Sequence, residues 1–318
     1  MVLLMGTTGA GKSFFINKLK EGATVIGDDL YSCTATCQLV LTRIGRTNVA
    51  VIDCPGFNDT YRSDTDILEE IAKVLSTQYL YQRRLKLRGI LWLRDITRTK
   101  MEGSDVRTLR LFSQLVGKAA FRHIVFVSTK WGTPDNHVQK LANEKRETQL
   151  KEDFWQAMIY GGSNAQRFLG TRASAEGIVS QLVGAVEPVA IQIQVELMDQ
   201  ELPLSATAAG MVLAPDVDSA LKDWESRIRD IKARLKVAAN GVEYGRLLQD
   251  MKNAEHEQEA AKLEKEKLLE KVGSKVKQSK VKKASTWQTS VRTMSSVLGL
   301  SVSIVGAVLP AVGVCTLM

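Results

Sequence analysis

Along the first 187 residues, short unbroken apolar runs alternate with stretches in which apolar side chains return every three or four positions. The runs at 2–5, 38–44, 48–53, 89–95 and 123–130 are rich in Val, Ile and Leu and predict buried strands, and the short apolar run Ala157-Met158-Ile159-Tyr160 predicts a last one. Two of them, 38–44 and 48–53, flank Gly45-Arg46-Thr47 and predict a hairpin. The helical rhythm appears from 12 to 19 and over 64–84, 106–116, 134–156 and 173–183; in 64–84 it sets Ile67, Leu68, Ile71, Val74 and Leu75 on one face. Strands alternating with helices predict an α/β fold, a mostly parallel sheet covered on both faces.

Beyond Glu187-Pro188 the rhythm changes. Residues 188–216 read as a mixed connector. From 217, Leu221, Trp224, Ile228, Ile231 and Leu235 form an amphipathic seam, Asn240-Gly241 interrupts it, and 247–271 resumes with alternating Glu and Lys. A helix folded back on the first domain and an intermolecular coiled coil satisfy this pattern equally. Residues 293–318 carry no charged side chain, and 297–317 is long enough to span a bilayer as a helix. Gly299, Gly306, Gly313 and Pro310 lower its helical propensity, so an interfacial segment and a buried hairpin stand beside a membrane anchor. The expected organisation is therefore a domain over 1–187, a connector over 188–216, a helical extension over 217–283 ending in a Lys-rich segment, and an apolar tail over 284–318.

Composition is that of a globular protein, with 44% hydrophobic and 25% charged residues in 318. The net charge of +8 is unevenly spread: Lys271, Lys275, Lys277, Lys280, Lys282, Lys283 and Arg292 lie in a segment without an acid, and the rest is close to neutral. A nucleic-acid partner is not expected for such a chain, whereas a basic run beside an apolar tail suits the cytosolic face of a membrane. The four cysteines, Cys33, Cys37, Cys54 and Cys315, have neither disulfide-framework nor zinc spacing. The first residues read as a core strand instead of a leader, and a cytoplasmic location is expected.

Candidate chemistry starts at Gly6-Thr7-Thr8-Gly9-Ala10-Gly11-Lys12-Ser13, which fits the phosphate-loop pattern GxxxxGK(S/T) between a predicted strand and a predicted helix. Backbone N–H groups from Thr8 through Gly9, Ala10, Gly11, Lys12 and Ser13 to Phe14 would surround an anionic oxygen. Lys12 would reach the terminal phosphates, and the Ser13 hydroxyl would ligate Mg2+. Some forty residues on, Asp53-Cys54-Pro55-Gly56 is a DxxG pattern at a strand end, where Asp53 would hold a magnesium water and the Gly56 N–H a γ-phosphate. His123 and His137 read as structural.

These motifs, with Ser32-Cys33-Thr34-Ala35-Thr36-Cys37-Gln38, Thr129-Lys130-Trp131 after one strand and Gly161-Gly162-Ser163 after the next, resemble the P-loop GTPase G domain of the septin-related, AIG-type (immunity-associated) GTPases. Asp95-Ile96-Thr97-Arg98-Thr99 and Val127-Ser128-Thr129-Lys130-Trp131 are most similar to the fungal G-domain proteins of that group. The resemblance covers 1–187. It implies binding of GTP and GDP with Mg2+ held by Ser13, Thr34 and Asp53, base-side contacts from Thr129, Lys130, Gly161 and Gly162, GTP hydrolysis, and a nucleotide-dependent homodimer or oligomer. Three positions depart from the pattern. Gly132 stands where the family's guanine-reading aspartate is usual, with Asp135 the nearest carboxylate. Phe57 follows DxxG where Ras-like enzymes use a water-orienting glutamine, so no catalytic side chain is assigned. Thr34 and Thr36 each offer the mobile-loop hydroxyl, the family pattern favouring Thr34.

Overall fold

The computed structural model describes residues 1–23, 36–80, 85–132, 137–184, 187–238, 241–283 and 301–302. Thr34, Asp135 and the apolar tail, except Ser301 and Val302, lie outside them.

A sheet in the order β6-β5-β4-β1-β3-β2-β7 forms the middle layer. Its central strands β1 (Val2–Gly6), β3 (Thr47–Asp53), β4 (Gly89–Asp95) and β5 (Ile124–Thr129) are parallel, and every residue of β1, β4 and β5 is buried. Such two-sided burial is why these strands read as continuous apolar runs. The hairpin partner β2 (Gln38–Ile44) is antiparallel to β3, pairing Gln38 with Asp53 and Ile44 with Thr47. At the edges β6 (Asn164–Arg167) pairs parallel with β5, and the two-residue β7 (Ser301–Val302) pairs parallel with β2.

Alternate side chains of the strands feed two cores. Val2, Leu4, Val51, Leu91, Leu93 and Val125 pack beneath α1 (Lys12–Leu19) and α6 (Arg172–Gly184). Leu3, Met5, Ile52, Ile90, Trp92 and Phe126 pack beneath α2 (Asp64–Leu80) and α3 (Gly103–Val116). All the apolar residues assigned to one face of the second predicted helix are buried in this core.

The run at 157–160 is not a strand. It belongs to the short helix α5 (Gln156–Tyr160), which follows α4 (His137–Gln149) and a π turn over Leu150–Phe154. Trp155 and Met158 are buried from this segment, while the strand position beside β5 is filled by the polar β6.

Residues 188–216 do more than connect. Helix α7 (Gln192–Met198) sends Ile193, Leu197 and Met198 into the core, and the buried Gln194 amide donates to Leu75 O at 2.9 Å and Gln78 Oε1 at 2.6 Å on α2. The extension then folds back. Helices α8 (Gly210–Val237) and α9 (Val242–Leu269) pair through Ile228, Ile231, Leu247, Met251 and Ala254, with Trp224 and Leu235 against them. The seam is thus satisfied within the chain, and nothing in the described residues supports an intermolecular coiled coil. Toward the domain, Leu213, Val217, Leu268 and Val272 join the main core, and Lys267 pairs with Asp66 of α2 at 2.7 Å. A last helix, α10 (Val272–Lys283), packs on α2 and α7. Among the described residues no helix is long and apolar enough to cross a membrane.

Candidate functional site

The loop between β1 and α1 opens at the C-terminal edge of the sheet, where open α/β sheets take their ligands. Gly6 begins it with φ 147°, and a Cβ there would stand 2.4 Å from Leu93 O, so only glycine fits against the neighbouring strand. Gly11 then enters helix α1 at φ 87° in the left-handed region. The helix has no side-chain cap, which leaves its first N–H groups directed at the loop.

Lys12 is buried, and its ammonium donates to Thr7 O at 3.0 Å and Gly6 O at 3.4 Å. Burial holds its pKa below the usual lysine value, against the opposing pull of Asp53, Cys54 and Asp59. Asp53 ends β3 with no solvent exposure, and neither carboxylate oxygen has a hydrogen-bond partner among the described residues. Burial raises its pKa to about 6, the Lys12 charge pulling the other way. An orphaned carboxylate is costly unless something else satisfies it. A divalent cation with its waters would do so. Mg2+ needs only one or two protein oxygens when phosphates supply the rest. Ser13, in the first turn of α1, and Asp53 fit as ligands; Thr34 lies outside the described residues.

The DxxG turn lies directly on the loop. Phe57 N–H donates to Gly6 O at 3.2 Å, Thr8 N–H donates to Phe57 O at 2.9 Å, and a Cβ on Gly56 would stand 2.5 Å from Thr8 Oγ1. The Phe57 ring turns away into the core, fully buried beside Trp92 at 6.3 Å between centroids. This position therefore presents no side chain to a water molecule.

On the other flank, Thr129 donates its hydroxyl to Ala10 O at 2.8 Å and lies 3.2 Å from Arg94 O. Lys130 follows at φ 60° and reaches Asp95 Oδ2 at 2.8 Å. Burial pushes the Asp95 carboxyl up, but Lys130 and two Thr97 donors outweigh it and leave it below the usual carboxylate range. Trp131 is held by its indole N–H on Ser128 O at 3.2 Å and by the Arg167 guanidinium 4.2 Å over its ring. Arg167 in turn forks onto Glu147, whose Oε2 lies 2.6 Å from Nη2. The sequence reading missed this Glu147, Arg167 and Trp131 stack. Its signal was faint: one arginine in a polar edge strand.

Gly161 and Gly162 do not belong to the site. They precede β6 and pack on Phe121 and Arg122, which lead into the N-terminal end of β5, opposite the phosphate loop. The segment that does emerge at the loop's edge is 168–171, after β6. There the buried Phe168 ring stands 6.0 Å from Phe14, and a Cβ on Gly170 would meet Phe14 at 3.8 Å.

The model of the AIG1 family matches residues 1–153, and the AIG-type resemblance holds for that segment. No curated protein matches the chain. Among solved structures, Toc33 from Arabidopsis thaliana in complex with GDP and Mg2+ is 16% identical with a TM-score of 0.48, covering 60% of this chain and 86% of that one. The Toc33 complex with Mg2+ and GMPPNP is 16% identical at a TM-score of 0.47, covering 60% and 87%. A variant of Era from Aquifex aeolicus bound to GDP and AlF4- is 17% identical at 0.41, covering 59% and 57%.

Proposed function

We propose that the segment matching the AIG1 family makes this chain a GTP-binding protein, a Mg2+-dependent nucleotide switch that hydrolyses GTP slowly by itself and faster in a nucleotide-dependent dimer or oligomer. The observation that carries the reading is the pair at the loop: a buried Lys12 ammonium that donates to the loop's own carbonyls, and a buried Asp53 carboxylate without a hydrogen-bond partner among the described residues. In this reading the loop amides and Lys12 bind the β- and γ-phosphates. Ser13, Asp53 and Thr34 would hold Mg2+, which would offset charge on the phosphate oxygens. Thr129 and Lys130 shape the base side, with 168–171 beside Phe14 in place of Gly161 and Gly162. The buried Phe57 favours slow intrinsic turnover, and favours as a second reading a nucleotide-binding scaffold with no significant hydrolysis. Single-turnover hydrolysis across a protein dilution series tests both: a rate that rises with concentration supports the switch, no product at any concentration supports the scaffold, and a fast rate flat across the series contradicts both.

The Lys-rich segment and the apolar tail carry a further part of the reading, that the protein is tethered to the cytosolic face of a membrane. The support is in the sequence, six lysines from Lys271 to Lys283 before an uncharged run, each worth about 1 kcal/mol near anionic lipid. Flotation with anionic liposomes tests it. The full chain rises with the vesicles and a chain truncated at Ser285 stays down; a full chain that stays at the bottom contradicts the tether.

A further inference from the structure

The turn after Gly56 is poised between two partners. Asn58 adopts φ 56°, in the left-handed region that asparagine tolerates, and is held there by its N–H on Asp64 Oδ1 at 2.8 Å and its amide on Ser104 Oγ at 3.1 Å. The next residue, Asp59, faces the phosphate loop. Its Oδ2 accepts the Thr8 hydroxyl at 2.9 Å and its Oδ1 accepts the Tyr61 N–H at 2.9 Å. The Asp59 charge is close enough to Lys12 to offset part of the effect of burial on that ammonium. A carboxylate therefore stands at the mouth of the loop, on the side where Gly56 would meet a γ-phosphate. Two anions sharing one lysine repel each other, so a triphosphate and this carboxylate compete.

Behind Asp59 is room for it. A cavity of about 340 Å³ is lined by Asp59, Arg62, Arg107 of α3, Asp216 of α8 and Glu264 of α9. Arg107 pairs through Nη2 with Asp216, while its buried Nε has no hydrogen-bond partner among the described residues. One donor of an ion-paired, partly exposed guanidinium is therefore open to an incoming carboxylate.

We propose that Asp59 sets the discrimination between nucleoside diphosphate and triphosphate, as a two-position carboxylate that rests on Thr8 when no γ-phosphate is present and moves toward Arg107 when one enters. This rests on the phosphate-loop reading of residues 6–13. Only the triphosphate has to displace the carboxylate, so the energy of the Thr8 contact is a differential affinity between the two ligands. In its second position Asp59 competes with Asp216 for Arg107, which carries the presence of the γ-phosphate to helix α8.

The test uses the full chain with Mg2+ and measures affinities for GDP and a non-hydrolysable GTP analogue in wild type, Asp59→Ala, Asp59→Asn, Arg107→Gln and Lys12→Ala. Both Asp59 variants raise the triphosphate-to-diphosphate affinity ratio about tenfold, with GDP affinity within about threefold of wild type; Arg107→Gln lowers the ratio. Asp59→Asn keeps an acceptor for Thr8 and serves as the variant least disturbing to the fold. A ratio unchanged in both Asp59 variants overturns the proposal, as does a parallel loss of both ligands in folded protein. If Lys12→Ala abolishes binding while the Asp59 ratio stays flat, the loop reading stands and Asp59 alone fails. If Lys12→Ala binds both nucleotides like wild type, the reading and the proposal fall together.

Discussion

The Thr129 hydroxyl donates a hydrogen bond to the Ala10 carbonyl across 119 residues of sequence, fastening the end of β5 to the phosphate loop. The same oxygen stands 3.2 Å from the Arg94 carbonyl at the end of β4, so one side chain ties three adjacent segments of the site. Thr129 thus acts as a positioning residue for the loop.

Thr129→Val keeps the shape and removes the donor, leaving the buried Ala10 carbonyl short of a partner. The expected cost is about 1–3 kcal/mol of stability, together with weaker nucleotide binding. Chemical denaturation and nucleotide titration of the same variant check it; a variant with both quantities at wild-type values contradicts the tether.

Much of the fold could be read in the sequence because the central strands are buried on both faces and advertise it. Helix α2 starts where the pattern places it, β2 and β4 match at both ends, and the phosphate loop and DxxG carry their own structural context. What failed was the polar edge. Residues 164–167 pair with β5 while burying none of their side chains fully, so they lack the apolar run that announces a strand. The nearby Ala157-Met158-Ile159-Tyr160 has that run but uses it to plug Met158 into the core from a helix. The error moved the last motif to Gly161 and Gly162, at the wrong end of the sheet. The destination of the extension was also illegible, because residues spaced three and four apart pack alike on a domain, a hairpin partner or a second chain. Its docking depends on groups remote in sequence, such as Lys267 on Asp66.

Base selectivity turns on Gly132. A Cβ there meets nothing within 4 Å among the described residues, although φ 78° disfavours a side chain by about 1 kcal/mol. Guanine over adenine discrimination is expected to be weak, and Gly132→Asp to strengthen it by supplying a carboxylate whose two hydrogen bonds are worth about 1.5–3 kcal/mol. Competition titrations of GTP against ATP measure it. An affinity ratio identical in wild type and variant means that another residue already reads the base.

Asp53 predicts a pH dependence. Its pKa rises from 3.8 unfolded to about 6 folded, so between these values the folded chain binds more protons and stability falls as pH rises. The nucleotide-free protein therefore carries a penalty of up to about 3 kcal/mol above the folded value, present at neutral pH and relieved in acid. Asp53→Asn, which cannot ionise, should be more stable than wild type at about pH 7.5 and similar to it at about pH 4. Denaturation of both nucleotide-free proteins at the two pH values is the measurement; a constant difference between them rules out the buried, unpartnered charge. Mg2+-dependent binding in wild type should also weaken as pH drops below about 6, because the ligand is then protonated.

The most direct measurement is isothermal titration of Mg2+ with GTP or GDP into wild type and Lys12→Ala. Lys12 is the one basic side chain within residues 6–13, and it is buried with its charge against loop carbonyls. Its removal relieves a desolvated cation but also takes the opposite charge from the buried Asp53 carboxylate, so denaturation of the variant is measured alongside to separate lost binding from lost folding. The expected result is folded protein with at least about a hundredfold lower affinity for both nucleotides, about 2.7 kcal/mol. Wild-type affinity in folded Lys12→Ala would contradict the assignment of this loop as the nucleotide site.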